Sequence, residues 1–206
     1  MGQIIDFEER RRRHRGPAIA VTAPSIFFFD VACPLTYLAA ERVERAFPHA
    51  DWRPVDAPIV LEPVQRALSW ERAEPRAAVL RMPLVWPDRA GRRDWGVRAR
   101  RAAVFAASHG RATPFALAAG RLAYCGGFDL DDPGVIAEAA AAARLPVAEC
   151  VEAAHDESLD SVLRAASRGL RVDGVTDLPL LCVGGRAFPG EHRLAEALAA
   201  GSAAAS

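Results

Sequence analysis

The sequence predicts an α/β fold in which a β-α-β unit at the start and a β-β-α unit at the end flank a long helical stretch. Three observations predict it. Ile26 to Phe29 is a short apolar run bounded by turn-forming residues, the pattern of a buried strand, and Leu35, Leu38, Ala39 and Val43 follow at helical spacing. The middle of the chain is first broken by prolines and then carries helical periodicity without a strand signal. Near the C-terminus an apolar run ending at Val183 meets Gly184-Gly185 and then Arg186-Ala187-Phe188, a two-residue hairpin signal.

Taken in order, residues 1–23 read as a flexible tail with a short amphipathic piece at Ile4 to Phe7. The first strand and a helix to Phe47 lead to a second strand, Asp51 to Val55, anchored by Trp52 and Val55. A parallel pair joined this way requires a right-handed crossover. Pro58, Pro63, Pro75, Pro83 and Pro87 then break the chain, leaving a modest helix over Val64 to Glu74. Five helices follow. They run from Trp95 to Ser108, from a Thr113 N-cap with Pro114 to Tyr124, from Asp131-Asp132-Pro133 to Leu145, from Pro146 to Ala154 and from Glu157 to Leu170. Strand chemistry returns at Val175 to Val183, and a last helix spans Gly190 to Ala200. Residues 24–58 and 171–206 therefore read as one sheet-bearing domain, and 59–170 as a helical insertion.

Composition excludes several classes of function. The 206 residues carry 26 basic and 26 acidic side chains, so no net field steers the chain to nucleic acid or an anionic membrane. No uninterrupted apolar run reaches the roughly 18 residues of a membrane span. The Arg10 to Arg15 run lacks interleaved aromatics and reads as a solvated tail. With the apolar stretch after it and Val31-Ala32-Cys33, that run imitates a secretion signal. Pro17, Pro24 and Asp30 interrupt the signal, and cleavage would delete the first strand. The four cysteines, at 33, 125, 150 and 182, show neither C-x-x-C nor metal-ligand spacing. We expect free thiols, no metal and a cytoplasmic location.

Cys33 and Pro34 stand where the first strand turns into a helix. Proline is favoured in a first helical turn, so the sulfur sits at a helix N-terminus, where free amides and the helix dipole favour an anion. The expectation is a thiolate with a pKa of about 3.5–7.5. Thr36 follows on the same side of that turn, with a hydroxyl in reach of the sulfur. Cys125, Cys150 and Cys182 lie among alanines and leucines and read as packing residues.

The stretches Phe29-Asp30-Val31-Ala32-Cys33-Pro34-Leu35-Thr36-Tyr37 and Gly174-Val175-Thr176-Asp177-Leu178-Pro179, with Gly184-Gly185 and His192-Arg193-Leu194, resemble the DsbA-like branch of the thioredoxin fold. Within it the chain is most similar to the 2-hydroxychromene-2-carboxylate isomerase and kappa-class glutathione transferase group. The resemblance implies a thioredoxin-like fold with a large helical insertion and Leu178-Pro179 as a cis-proline loop. It further implies Cys33 and Thr36 as catalytic residues, with Pro34, Leu178, Pro179 and His192 binding substrate.

The pattern departs from both branches. Where disulfide oxidoreductases have a second cysteine this chain has Thr36, and where the isomerases have a serine it has Cys33. The Trp-Gly-acid stretch is altered to Phe188-Pro189-Gly190-Glu191-His192. Three functions follow from the resemblance. The leading one is a monothiol oxidoreductase acting through Cys33 on a disulfide or on glutathione disulfide. The others are a glutathione-dependent isomerase or transferase, with glutathione as cofactor, and a non-catalytic binding protein of the same fold. A homodimer is compatible with each.

Overall fold

A computed structural model describes residues 23–88, 90 and 95–203 of the chain. The expected tail, with its amphipathic piece and arginine run, lies outside the described residues apart from Ala23. Four strands form one mixed sheet in the order β2-β1-β3-β4. β1 (Ser25–Phe29) pairs parallel with β2 (Asp51–Pro54) and antiparallel with β3 (Leu180–Val183), which pairs antiparallel with β4 (Arg186–Pro189). Gly184 and Gly185 join β3 to β4 at φ of 54° and 80°, a turn whose twist matches the strands and which only glycine adopts without strain.

The pleat of β1 divides the core. Phe27 and Phe29 are fully buried on one face, where Trp52 meets Phe27 edge-on at 4.6 Å between ring centroids. Helix α1 (Pro34–Ala46) covers that face with Leu35, Leu38, Ala39 and Val43. On the other face Phe28 joins a second cluster of Val55, Val60, Leu61, Leu170, Leu178 and Leu180. The first strand is thus covered on both sides, as its unbroken apolar run requires.

Between β2 and β3 lie α2 (Ala57–Val60), α3 (Pro63–Leu80), α4 (Val97–Ser108), α5 (Ala112–Tyr124), α6 (Pro133–Ala142), α7 (Val147–Ala153) and α8 (Asp160–Val172). Helix α9 (Leu194–Ala203) closes the fold. Several local expectations shift. Helix α3 runs through Pro75 to Leu80. Pro75 sits on the exposed side, where water can satisfy the carbonyl it frees, while Ser69, Ala73 and Ala77 pack inward. Helix α5 starts at Ala112, so Thr113 lies inside it and does not cap it. Glu157 opens a 3-10 turn that precedes α8, and β3 begins only at Leu180.

Candidate active site

The turn from β1 into α1 is held by Asp30. Its Oδ1 accepts from the Ala32 N–H at 2.8 Å and its Oδ2 from the Ala57 N–H at 2.9 Å, tying the turn to the start of α2. The Cys33 N–H donates to the Asp30 carbonyl at 3.0 Å. From the opposite side the fully buried Tyr124 donates its hydroxyl to the Ala32 carbonyl at 2.7 Å. Asp30 within the turn and Tyr124 from α5 thereby fix the backbone that presents Cys33.

Asp30 is itself paired. Arg100, on α4, places Nε 2.9 Å from both Asp30 oxygens and donates from Nη1 to the Trp95 carbonyl at 3.2 Å. Both side chains are buried, and Asp56 approaches the same Nε at 3.5 Å. Burial pushes the Asp56 carboxyl above the usual range against the pull of Arg100, and its Oδ1 is buried without a hydrogen-bond partner. The sequence carried a signal for Arg100 that its arginine-rich neighbourhood hid: Ala103 and Val104 place it on the buried face of α4.

Cys33 is the N-cap of α1 with Pro34 behind it, as the pattern implies, but the sulfur differs from expectation. Only 5% of the residue is exposed, and its thiol is pushed up to about 12. Burial is the main cause and the Asp30 charge adds to it. The N–H groups of Thr36 and Leu35 face the sulfur and pull the other way, too weakly to win. The expected thiolate is therefore corrected to a neutral thiol, because desolvation outweighs the helix terminus. Thr36 is corrected as well: its hydroxyl is buried without a partner and makes no bond to the sulfur.

Cys33 lines a cavity of about 320 Å³. Asp30, Arg100, Ser69 and Arg66 supply its polar wall, and Trp70 and Trp95 are among its apolar lining. Trp70 stacks edge-on against Trp95 at 5.8 Å and lies 5.0 Å from Trp86. None of these aromatic or basic residues was singled out by sequence reasoning, since Arg66 and Trp70 on α3, Arg100 on α4 and Trp95 just before it come together only in the fold.

The other expected site residues lie elsewhere. Pro34 is buried in the first turn of α1. The Leu178–Pro179 peptide bond is cis, Pro179 accepts from the Gly190 N–H at 2.8 Å, and neither residue lines the Cys33 cavity. The loop before them is close enough for the Asp177 charge to act on the thiol. Asp177 also takes a bidentate bond from Arg72, at 3.0 and 2.9 Å. His192 is exposed and lines a separate groove of about 450 Å³ with Leu35, Arg72, Pro75 and Val79.

All four cysteines are free, and none of the other three lines the Cys33 cavity. Cys150 is buried, as its alanine-rich surroundings imply, and its thiol is raised to about 11 by burial. Cys182 is half-buried, while Cys125 is exposed at the end of α5, its sulfur 3.1 Å from the Tyr37 hydroxyl. Among the described residues no group of His, Cys, Asp and Glu could hold a metal ion, and no helix is long and apolar enough to cross a membrane.

The profile of the DSBA-like thioredoxin domain matches residues 26–200 of the chain. No curated protein matches it. Among solved structures it is similar to a 2-hydroxychromene-2-carboxylate isomerase, at a TM-score of 0.71 and 15% identity over 88% of this chain and 95% of that one. A second similar structure is a putative protein disulfide isomerase from Nitrosomonas europaea, at 0.63 and 15% identity over 88% and 97%. A third is a probable DsbA oxidoreductase from Streptomyces coelicolor, at 0.62 and 18% over 88% and 90%.

Proposed function

For a chain that belongs to the DsbA-like thioredoxin-domain family, we propose a glutathione-dependent isomerase or transferase acting on small molecules, in which the Cys33 S–H serves as a hydrogen-bond donor. One observation carries this reading: Cys33 is buried and lines a cavity of about 320 Å³. A thiol that is 5% exposed and held protonated is a poor nucleophile toward a protein disulfide, because exchange depends on thiolate character and access. A small molecule reaches it through the cavity.

A thiol raised to about 12 stays protonated at neutral pH, so it can donate to a bound sulfur anion as a serine hydroxyl would. That donor fits a glutathione sulfur, and glutathione, when bound, supplies a thiolate nucleophile. The amides of Leu35 and Thr36 hold the Cys33 sulfur from the helix side. Asp30 and Tyr124 fix the turn that carries it, and Trp70 and Trp95 give the cavity an apolar wall.

Calorimetric titration with glutathione tests the proposal. Wild type and Cys33→Ser should bind, and Cys33→Ala, which lacks the donor, should bind about tenfold more weakly. Absence of binding to wild type would end this reading. A second reading, monothiol exchange with a disulfide or glutathione disulfide, is favoured by the two amides that face the sulfur. Disulfide reduction that disappears in Cys33→Ser would support it, and activity unchanged by that substitution would dismiss it.

A further inference from the structure

Helix α3 is apolar on two faces. Ser69, Ala73 and Ala77 pack inward, while Val64, Leu68, Pro75 and Val79 recur at steps of four and seven residues on the opposite side, the spacing of a helix-packing stripe. Val64, Leu68 and Val79 are 66%, 47% and 71% exposed, so among the described residues nothing covers this second face. Its C-terminal half borders the groove of about 450 Å³ in which Leu35 and His192 meet Pro75 and Val79.

The stripe is complementary to itself. When a second α3 is laid antiparallel on the first, about a two-fold axis midway between Glu71 and Arg72, Val64 falls opposite Val79 and Leu68 opposite Pro75. Each apolar side chain then meets another. The same axis sets Glu71 of each copy level with Arg72 of the other. Glu71 makes no hydrogen bond or ion pair among the described residues. Arg72 has donors to spare: Nε bonds the Leu68 carbonyl, and Nη1 and Nη2 bond Asp177, which uses three of the five N–H groups of a guanidinium. A parallel pair would instead set Glu71 on Glu71 and Arg72 on Arg72, like charge against like.

We propose that α3 is the contact surface of a homodimer, in which two copies of this chain pair antiparallel through Val64, Leu68, Pro75 and Val79, with Glu71 of each facing Arg72 of the other. Val64 and Leu68 of one copy enter the groove that Leu35, Pro75 and Val79 of the second copy outline, and the exchange is reciprocal. Leu35 stands in the first turn of α1, two residues after Cys33, so each copy shields the flank of the helix that carries the other's thiol. One helix from each copy makes a small contact, and dissociation in the micromolar range follows from its size.

Sedimentation equilibrium of the full chain, from micromolar to submillimolar concentration, should show monomer and dimer in reversible exchange. Leu68→Arg and Val79→Arg each place a charge in the apolar contact once per copy, and each should raise the dissociation constant about tenfold or more. Both positions are exposed, so circular dichroism and the unfolding midpoint should keep their wild-type values. The register is read by cysteine pairing in a Cys125→Ser background, which removes the exposed native thiol. A mixture of Val64→Cys and Val79→Cys chains should form a disulfide-linked dimer on oxidation. Either variant alone should not, because the antiparallel axis puts the two copies of one position about 22 Å apart along the helix, far beyond disulfide reach.

A monomer at every concentration, whether the face stays bare or takes another protein, would overturn the proposal. So would a dimer whose dissociation constant is unchanged in Leu68→Arg and Val79→Arg, since it would form through a different surface. Efficient linkage of Val64→Cys to itself would show a parallel pair and would overturn it as well. None of these outcomes depends on Cys33 or on glutathione, so the reading of the Cys33 cavity stands or falls separately.

Discussion

Arg100 Nε lies 2.9 Å from both carboxylate oxygens of Asp30, and this buried pair joins α4 to the turn that ends in Cys33. Its members are separated by 70 residues in the chain. The pair holds the turn in place while its carboxylate helps to keep the neighbouring thiol protonated.

Breaking the pair should be costly, because a lone charge would remain buried. Arg100→Met is expected to destabilise the protein by about 3–5 kcal/mol in urea unfolding. The double substitution Asp30→Asn with Arg100→Met should cost less than the sum of the single ones, since neither charge is then stranded. Additive losses would show that the two side chains do not act as a pair.

Cys33 should resist alkylation at neutral pH. Its thiol is raised to about 12 by burial first and by Asp30 second, so the rate of iodoacetamide modification should climb only well above the pH at which a free cysteine titrates. Asp30→Asn removes one raising charge and leaves Arg100 offset only by more distant carboxylates such as Asp56, and both changes favour the thiolate. The midpoint should therefore fall in that variant. Rapid modification of wild type at pH 7 would contradict the burial argument.

Stability should decline on the alkaline side. Cys33 is raised to about 12 and Cys150 to about 11 from an ordinary 9.0, so the unfolded chain releases protons where the folded chain still holds them. Folding is then opposed progressively as pH rises above about 9, and this contribution is absent below it. Tyr37 and Tyr124, both raised by burial, act in the same direction. Replacing Cys33 and Cys150 by alanine should flatten part of the decline measured by denaturant titration. A level free energy of unfolding between pH 9.0 and 11 would count against the shifts.

Gly96 is a further pressure point on the site. Its φ is +81°, and a Cβ there would stand 2.5 Å from the Cβ of Ala32, the residue before Cys33. Gly96→Ala should destabilise by about 1–3 kcal/mol and perturb Cys33 reactivity. A variant within about 0.5 kcal/mol of wild type, the range of an ordinary surface change, would show that the turn yields freely.

The parts legible in the sequence were those set by neighbours in the chain. The apolar run Ile26 to Phe29 followed by Cys33-Pro34 specifies strand, turn and helix, and Gly184-Gly185 specifies the hairpin, because dihedral preference and periodicity are local properties. Pro75 misled for a related reason: proline disfavours a helix interior locally, but the packing of Ser69, Ala73 and Ala77 carries α3 past it. The 4-residue helix α2 left no periodic signal to read.

Sequence alone determined the sheet-forming segments, the placement of Cys33 at a helix start and the character of the central helices. Only the tertiary structure decided the ionisation of that cysteine and the company it keeps. A helix terminus favours a thiolate wherever it stands, but desolvation depends on everything packed around the sulfur. Here Asp30, Arg100, Tyr124, Trp70 and Trp95 converge from separate elements, and no local pattern encodes that convergence.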